Sequence, residues 1–362
     1  MKVFLRYLSV ALAILMLLGM FTACKKDENS QPSDTTQTDG TTDDGKPDDG
    51  KPDDGKPDDG KPDDGTTDDG KTDDGAGDEN KNIDGNVISM KSFDTTLMSF
   101  NILNDSSYDA RWDEVASFIM RSEGSIICMQ EVKKEQFDFL KEQLAEKYEV
   151  VWYPRESDTS EGLATAYAKD EWTLVNEERF WLSETPDVKS KGWGASYYRI
   201  CVRTLLEHKD TGSKLDVFNV HLDFNQANLE GARLVIERAK QSEYPVYIGG
   251  DFNTRYTMNT TYVELAAAFQ DCQQVAHDTD LGITGHEKFK YGDYEGVPID
   301  YCFLTKDVFD VLVFDVCRDR RTDNNSWLSD HYPIKTTVRY IYEYEVNYPD
   351  TTPGGFDGDM AV

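Results

Sequence analysis

Positive charge is scarce in this chain. Its 362 residues include 38 lysines and arginines against 69 aspartates and glutamates, a formal net charge of -31 at pH 7. Residues 25–84 carry 21 acidic and 8 basic side chains and residues 1–24 a net of +2, so residues 85–362 keep -20 of the total. That balance argues against a broad basic groove for tracking a nucleic-acid backbone. Phosphate can still be held through a cation, which inverts the local field. Cysteine is sparse as well. Apart from Cys24, the five cysteines Cys128, Cys201, Cys272, Cys302 and Cys317 are odd in number and lack metal-type spacing. They indicate neither a disulfide framework nor a cysteine nucleophile. Cys128, Cys201 and Cys302 lie in apolar runs and read as buried, strand-packed thiols.

Residues 41–75 contain no aromatic or aliphatic side chain. They form a pentapeptide array that opens on Thr41-Thr42-Asp43-Asp44-Gly45, repeats Lys46-Pro47-Asp48-Asp49-Gly50 with small changes, and closes on Lys71-Thr72-Asp73-Asp74-Gly75. With nothing to bury, the segment cannot offset its ordering entropy, and proline and like charges keep it extended. Asp-Asp-Gly has the composition of a calcium loop, but the ligand spacing and closing glutamate of an EF-hand are absent. A spacer is expected, and residues 25–92 read as a disordered acidic linker.

Met1 to Cys24 has the layout of an export signal. Lys2 and Arg6 precede an almost wholly apolar stretch from Leu8 to Met20, and Phe21-Thr22-Ala23-Cys24 closes it. The stretch is slightly short for a spanning helix. It resembles a bacterial lipoprotein signal, with Phe21 where leucine is usual, which implies lipidation of Cys24 and a membrane anchor there. Lys25-Lys26-Asp27-Glu28 resembles an acidic surface-export signal of one phylum of Gram-negative bacteria. Together they imply a surface-exposed outer-membrane lipoprotein of the cell envelope, expected to be a monomer.

Residues 93–340 read as the globular part, and residues 341–362, polar and rich in Gly and Pro, as a disordered tail. Short apolar runs alternate with amphipathic stretches. Strands are expected over 95–104, 125–129, 148–153, 163–169, 178–183, 199–208, 215–223, 245–248, 297–304 and 334–340. Helices are expected over 111–121, 133–147, 229–241 and 262–269. Residues 318–327 read as a charged loop. Polar residues interrupt the apolar runs near their ends. Asn101 reads alone as a strand-end cap. Glu131, after the run Ser125 to Met129, either faces solvent or holds a cation, because a buried carboxylate without a partner is costly. Asn219, His221 and Asp223 alternate with Phe218, Val220 and Leu222, giving one polar and one apolar face. Gly192 to Tyr198 is an aromatic loop, either packed on the surface or facing a substrate. Asp330 and His331 can share a site only on an irregular segment.

Tyr247-Ile248-Gly249-Gly250-Asp251-Phe252-Asn253 concentrates the question. A buried strand runs into two glycines, which permit unusual backbone angles or a close approach. If the chain stays extended, Asp251 and Asn253 share a face, as a phosphate-and-water site would require. The same residues also suit an Asx turn.

Asn101, Gln130-Glu131, Asn219-Val220-His221-Leu222-Asp223, Gly250-Asp251-Phe252-Asn253, Ile299-Asp300-Tyr301 and Ser329-Asp330-His331 occur in this order at strand ends. The set resembles the endonuclease/exonuclease/phosphatase superfamily, with the fold of deoxyribonuclease I. Phe180-Trp181-Leu182-Ser183-Glu184-Thr185-Pro186 and Arg199-Ile200-Cys201 are similar to a bacterial subgroup of metal-dependent hydrolases. The resemblance implies an α/β (α+β) four-layer sandwich, two packed mixed β-sheets flanked by helices. It implies magnesium, or manganese, held by Glu131 with Asn101 and Asp330. Asp251 or His331 would activate water, and Asp300 would hold the His331 ring. Asn253 and His221 would contact phosphate oxygens, and His221 would protonate the leaving oxygen. Glu161 would pair with His221, with Asn219 and Asp223 in support. The implied substrate is a phosphoester: nucleic acid, a phospholipid or inositol phosphate, or a small phosphorylated metabolite. Leu163 stands where the family carries a polar side chain, and the loop Phe224 to Leu229 is shorter than the subgroup's and lacks its basic residue. The other reading is a surface binding lipoprotein that kept the fold and lost the chemistry. Against it, every expected polar position is filled.

Overall fold

The computed structural model describes residues 77–83, 86–104, 110–255, 260–279 and 298–347. The expected signal segment, Cys24, the pentapeptide array and residues 348–362 lie outside them. In chain order the strands are β1 (Gly77–Ile83), β2 (Asn86–Asn101), β3 (Ile126–Val132), β4 (Tyr148–Pro154), β5 (Gly162–Ala168), β6 (Trp172–Trp181), β7 (Ile200–His208), β8 (Lys214–His221), β9 (Val246–Asp251), β10 (Gln270–Asp271), β11 (Asp278–Thr279), β12 (Asp300–Leu304), β13 (Phe309–Val316) and β14 (Ile334–Asn347). The helices are α1 (Arg111–Arg121), α2 (Lys134–Gln143), α3 (Asn225–Lys240), α4 (Thr260–Ala268) and α5 (Cys272–Val275).

The strands form an 8-stranded sheet, ordered β11-β13-β14-β2-β3-β5-β4 with β1 on β2, and a 6-stranded sheet, ordered β10-β12-β9-β8-β7-β6. β2 and β3, β8 and β9, and β11 and β13 run parallel among otherwise antiparallel neighbours, so both sheets are mixed. Their inner faces meet in a core that includes Leu97, Ile126, Val202, Val217, Tyr247 and Cys302. Helices α1 and α2 cover the outer face of the first sheet through Val115, Ile119 and Leu140. Helices α3 and α4 cover the second through Val235, Ile236 and Leu265. This is the four-layer sandwich that the sequence implied. It explains why β5, β9 and β12 are buried at every position and read as continuous apolar runs. Each fully buried aliphatic side chain there contributes about 1.5–3 kcal/mol.

Several boundaries differ from the sequence reading. β2 begins at Asn86 and β14 ends at Asn347, and these extensions pair with each other, as in Ile341↔Ser92 and Asn347↔Val87. The strands thus pass beyond Phe93 and Tyr340 at both ends of the expected domain. One signal was present: Tyr342, Tyr344 and Val346 alternate with Glu343, Glu345 and Asn347, the period of a strand. β13 is also unforeseen, because Asp310 and Asp315 break up its apolar run. Helix α3 starts at Asn225, so most of the expected loop from Phe224 to Leu229 is its first turn.

Two polar side chains, Tyr247 and Asn219, bond across the core between the sheets. Tyr247 Oη donates to the Met98 carbonyl at 3.0 Å. Asn219, fully buried, donates to the carbonyls of Met129 and Ala164 at 3.2 and 2.8 Å and accepts from Gln130 Nε2 at 3.0 Å. The glycines of β9 make room for this packing. A Cβ on Gly249 would lie 2.4 Å from the Tyr247 hydroxyl, and one on Gly250 2.1 Å from the Val220 carbonyl on β8. Gly249→Ala should therefore push the phenol off Met98 and destabilise the protein by about 1–3 kcal/mol. Urea unfolding with unchanged cooperativity and a lower midpoint is the expected result.

Candidate active site

Strand register assembles half of the site. His221 at the end of β8 lies beside Asp251 at the end of parallel β9, and Asp251 lies beside Asp300 at the start of antiparallel β12. The other sheet brings Asn101 and Glu131 from the ends of parallel β2 and β3, and the segment before β14 brings Asp330 and His331.

Asp251, 2% exposed, is where the two halves meet. Its Oδ2 accepts from Asn101 Nδ2 across the sheets at 3.1 Å, and lies 3.3 Å from His221 Nε2 and 3.6 Å from His331 Nε2. His331 Nδ1 sits 2.8 Å from Asp300 Oδ2, which orients the ring so that Nε2 faces Asp251. Burial alone would lower the His331 pKa, but the carboxylates of Asp300, Asp251 and Asp330 outweigh it and raise the value to about 10. His221 behaves oppositely. Burial, the guanidinium of Arg199, the charge on His331 and the guanidinium of Arg155 hold it well below the usual histidine range. The shift favours the neutral ring, which can donate or accept a hydrogen bond.

Asn253 combines the two readings of its stretch. Its φ is 47°, so strict alternation ends there. Its backbone N–H donates to Asp251 Oδ1 at 2.9 Å, an Asx turn that fixes the carboxylate, and its side chain donates to the Leu222 carbonyl at 3.0 Å.

Glu131 owes its position to an irregularity. The register of β3 against β5 shifts between Met129 and Val132, and Glu131 adopts a φ of 62°. The left-handed conformation costs a non-glycine residue about 1–2 kcal/mol. It leaves Gln130 fully buried between the sheets and Glu131 half-buried at their end. Glu131 accepts from Asn101 Nδ2 at 3.2 Å and from the Asn104 backbone N–H at 3.2 Å. Burial would raise its pKa, but these donors and His331 outweigh it, so the carboxyl is lowered and ionised. Asp330 is half-buried and takes a long bond, 3.4 Å, from Ser329 Oγ. Glu131, Asn101 and Asp330 offer oxygen donors only, a set that suits a hard divalent cation. A second group, Asp251, Asp300 and His331, has ligand atoms within 4.8 Å of one another. There the His331–Asp300 contact already engages one ring nitrogen.

The supporting residues are distributed differently from expectation. Asn219 is a pin between the sheets. Glu161 contacts Arg155 Nη1 at 2.5 Å and does not pair with His221, although both line one cavity. The arginine is simply the closer and oppositely charged partner. Asp223 accepts from the backbone N–H groups of Tyr197 at 2.9 Å and Phe224 at 2.8 Å.

The sequence reading missed Arg111, which it took only as a helix start. The residue is 2% exposed and donates to the carbonyls of Ile102, Leu103 and Leu328, with the Leu103 and Leu328 bonds both at 2.9 Å. Ser329 Oγ adds a 2.6 Å bond to the Asn101 carbonyl. Together they bind the end of β2 to the segment carrying Asp330 and His331. One signal was present: a basic residue at a helix N-terminus opposes the helix dipole and needs another reason to be there.

The profile of the Endonuclease/Exonuclease/phosphatase family matches residues 98–331, from the strand bearing Asn101 to His331. The chain belongs to that family. An endonuclease/exonuclease/phosphatase family protein from Bacteroides thetaiotaomicron is similar in structure, with a TM-score of 0.64 and 28% identity, covering 70% of this chain and 97% of that one. A mannosyl-6-phosphatase from the same species gives 0.61 and 28%, covering 67% and 99%. An uncharacterized protein of Acanthamoeba polyphaga mimivirus is 24% identical over 246 residues, 63% of this chain and 90% of its own length.

Arg111→Met should leave three buried carbonyls without their charged donor and cost about 3–5 kcal/mol. Hydrogen exchange should speed up at Ile102 and Leu103 before it does in β9.

Proposed function

We propose that this chain is a metal-dependent phosphoester hydrolase. The observation that carries the reading is the convergence of Asn101, His221 and His331 on one oxygen of Asp251. Membership of the Endonuclease/Exonuclease/phosphatase family supports it. Magnesium or manganese, bound by Glu131, Asn101 and Asp330, would act as a Lewis acid on a phosphoryl oxygen. Asp251, its Oδ1 fixed by Asn253, takes the proton from the attacking water as the water oxygen bonds to phosphorus and the P–O ester bond breaks, and the leaving oxygen takes a proton from solvent. His331 presents Nε2 to the phosphoryl group, with Asp300 positioning the ring. His221 and Asn253 hold phosphoryl oxygens as their charge grows.

The substrate in this reading is a small phosphorylated metabolite. The likeness to a mannosyl-6-phosphatase supports a sugar phosphate, and the net charge of -31 disfavours a polyanionic polymer. We further propose that Cys24 carries a lipid that tethers the enzyme to the outer face of the cell envelope.

Glu131→Ala and His331→Ala should each lower magnesium-dependent turnover of p-nitrophenyl phosphate, or of its bis ester, at least about 100-fold, and EDTA should abolish it in the wild type. Undiminished turnover in either folded variant would sink the assignment. For the anchor, Cys24→Ser should move the protein from the membrane fraction to the soluble fraction and end labelling by radioactive palmitate.

A further inference from the structure

Helix α3 carries a buried amide that the proposed hydrolysis leaves unused. Asn228, in the first turn of the helix, is 3% exposed. Its Nδ2 donates to the Asp223 carbonyl at 2.8 Å and to the Phe252 carbonyl at 2.6 Å, and its Oδ1 accepts from Thr254 Oγ1 at 2.8 Å. None of these bonds ends on Asp251, His221 or Asn253. They bracket Asn253 instead, through the carbonyl before it and the hydroxyl after it. The third partner, Asp223, lies two residues beyond His221 where the chain leaves β8.

The bracketed segment needs such support. Asn253 has a φ of 47°, a conformation that a non-glycine residue keeps only where its surroundings over-determine it. In that conformation its backbone N–H fixes Asp251 Oδ1, and its side chain reaches the carbonyl of Leu222, next to His221. The ladder between β8 and β9 ends at His221 and Asp251. Beyond it, the two amides of Asn253 and Asn228 clamp the departing segments together. Only an amide of this length brings two donors and an acceptor in one plane. Aspartate offers no donor, and leucine neither donor nor acceptor. Asn228 stands in the segment Phe224 to Leu229, where the sequence shows no basic residue.

We propose that Asn228 is a positioning residue, which acts through the turn at Asn253 to aim the Asp251 carboxylate and the Asn253 amide at the phosphoryl group. Its effect on turnover rests on the phosphoesterase reading, but its effect on the turn does not. Val235→Ala, which trims the apolar face of the same helix, is the comparison for a purely structural loss. Amide exchange is followed by NMR in the metal-free full-length protein, each variant equally far below its melting temperature. The Asn253 N–H should exchange about tenfold faster or more in Asn228→Ala than in Val235→Ala. With magnesium and p-nitrophenyl phosphate, Asn228→Ala should lower kcat about tenfold or more with KM within about threefold, whereas Val235→Ala should keep kcat within about twofold of the wild type. Thr254→Val, which removes one of the three bonds and keeps the side-chain shape, should produce the same changes at smaller size, and carries the test if Asn228→Ala does not fold. Equal Asn253 exchange in the two helix variants, equal kcat, or a change confined to KM would overturn the proposal. Faster Asn253 exchange in a protein that turns over no phosphoester would support the hold on the turn and remove the phosphoesterase reading. Wild-type turnover with the two helix variants alike would do the reverse.

Discussion

The hydrogen bond from Asn101 to Asp251 Oδ2 joins the two sheets at the end where the polar side chains gather. Burying an ionised carboxylate without partners costs several kcal/mol, so Asp251 is tolerable only because both sheets and the segment before β14 supply partners around it. Each partner needs support in turn. Asn101 is held through Ser329 and Arg111, and His331 through Asp300. Asp300 adds a second buried carboxyl next to Asp251 in the strand register, and the imidazole of His331 between them offsets their repulsion. Removing any one support leaves a charge or a donor exposed to an apolar interior.

Much of this arrangement was legible in the sequence because it lies on strands. Apolar runs that end in Glu131, His221, Asp251 and Asp300 stand out, since a carboxylate or imidazole is unexpected where burial is the rule. The alternation of Asn219, His221 and Asp223 placed two of the three correctly on the inner face, but it could not show depth. Asn219 lies between the sheets and His221 at their edge, and the two positions look alike in a period-two pattern. Backbone irregularity was less visible. Neither the positive φ of Glu131 nor that of Asn253 has a glycine to announce it, so the β3 bulge and the break in alternation after Asp251 appear only in three dimensions.

The surroundings of His221 were the least legible part. Arg155, Glu161 and Tyr197 stand on loops, where no periodicity relates one residue to another, and Arg199 directly precedes β7. Their proximity depends on how β4, β5 and β7 end, which spacing along the chain does not encode. The sequence marked the region indirectly, through the aromatic loop from Gly192 to Tyr198 and through Leu163. The chain's overall acidity also misleads locally. Two arginines face His221 within a protein of net charge -31, and their field adds to burial in disfavouring the charged ring.

The phenol of Tyr247, reaching from β9 to the Met98 carbonyl on β2, has a wider consequence. Apolar layers attract each other without regard to direction, and two sheets joined by them alone could slide over one another at little cost. A directional bond through the core works like a dowel and stops that sliding. Asn101 lies three residues beyond Met98 on β2, and Asp251 four beyond Tyr247 on β9. The dowel therefore sits one strand turn behind the atoms that face each other across the gap. Warming that loosens the sheet interface would blur those positions first, so the temperature at which the site loses its alignment is set in the interior of the sandwich, well away from any loop that touches a ligand.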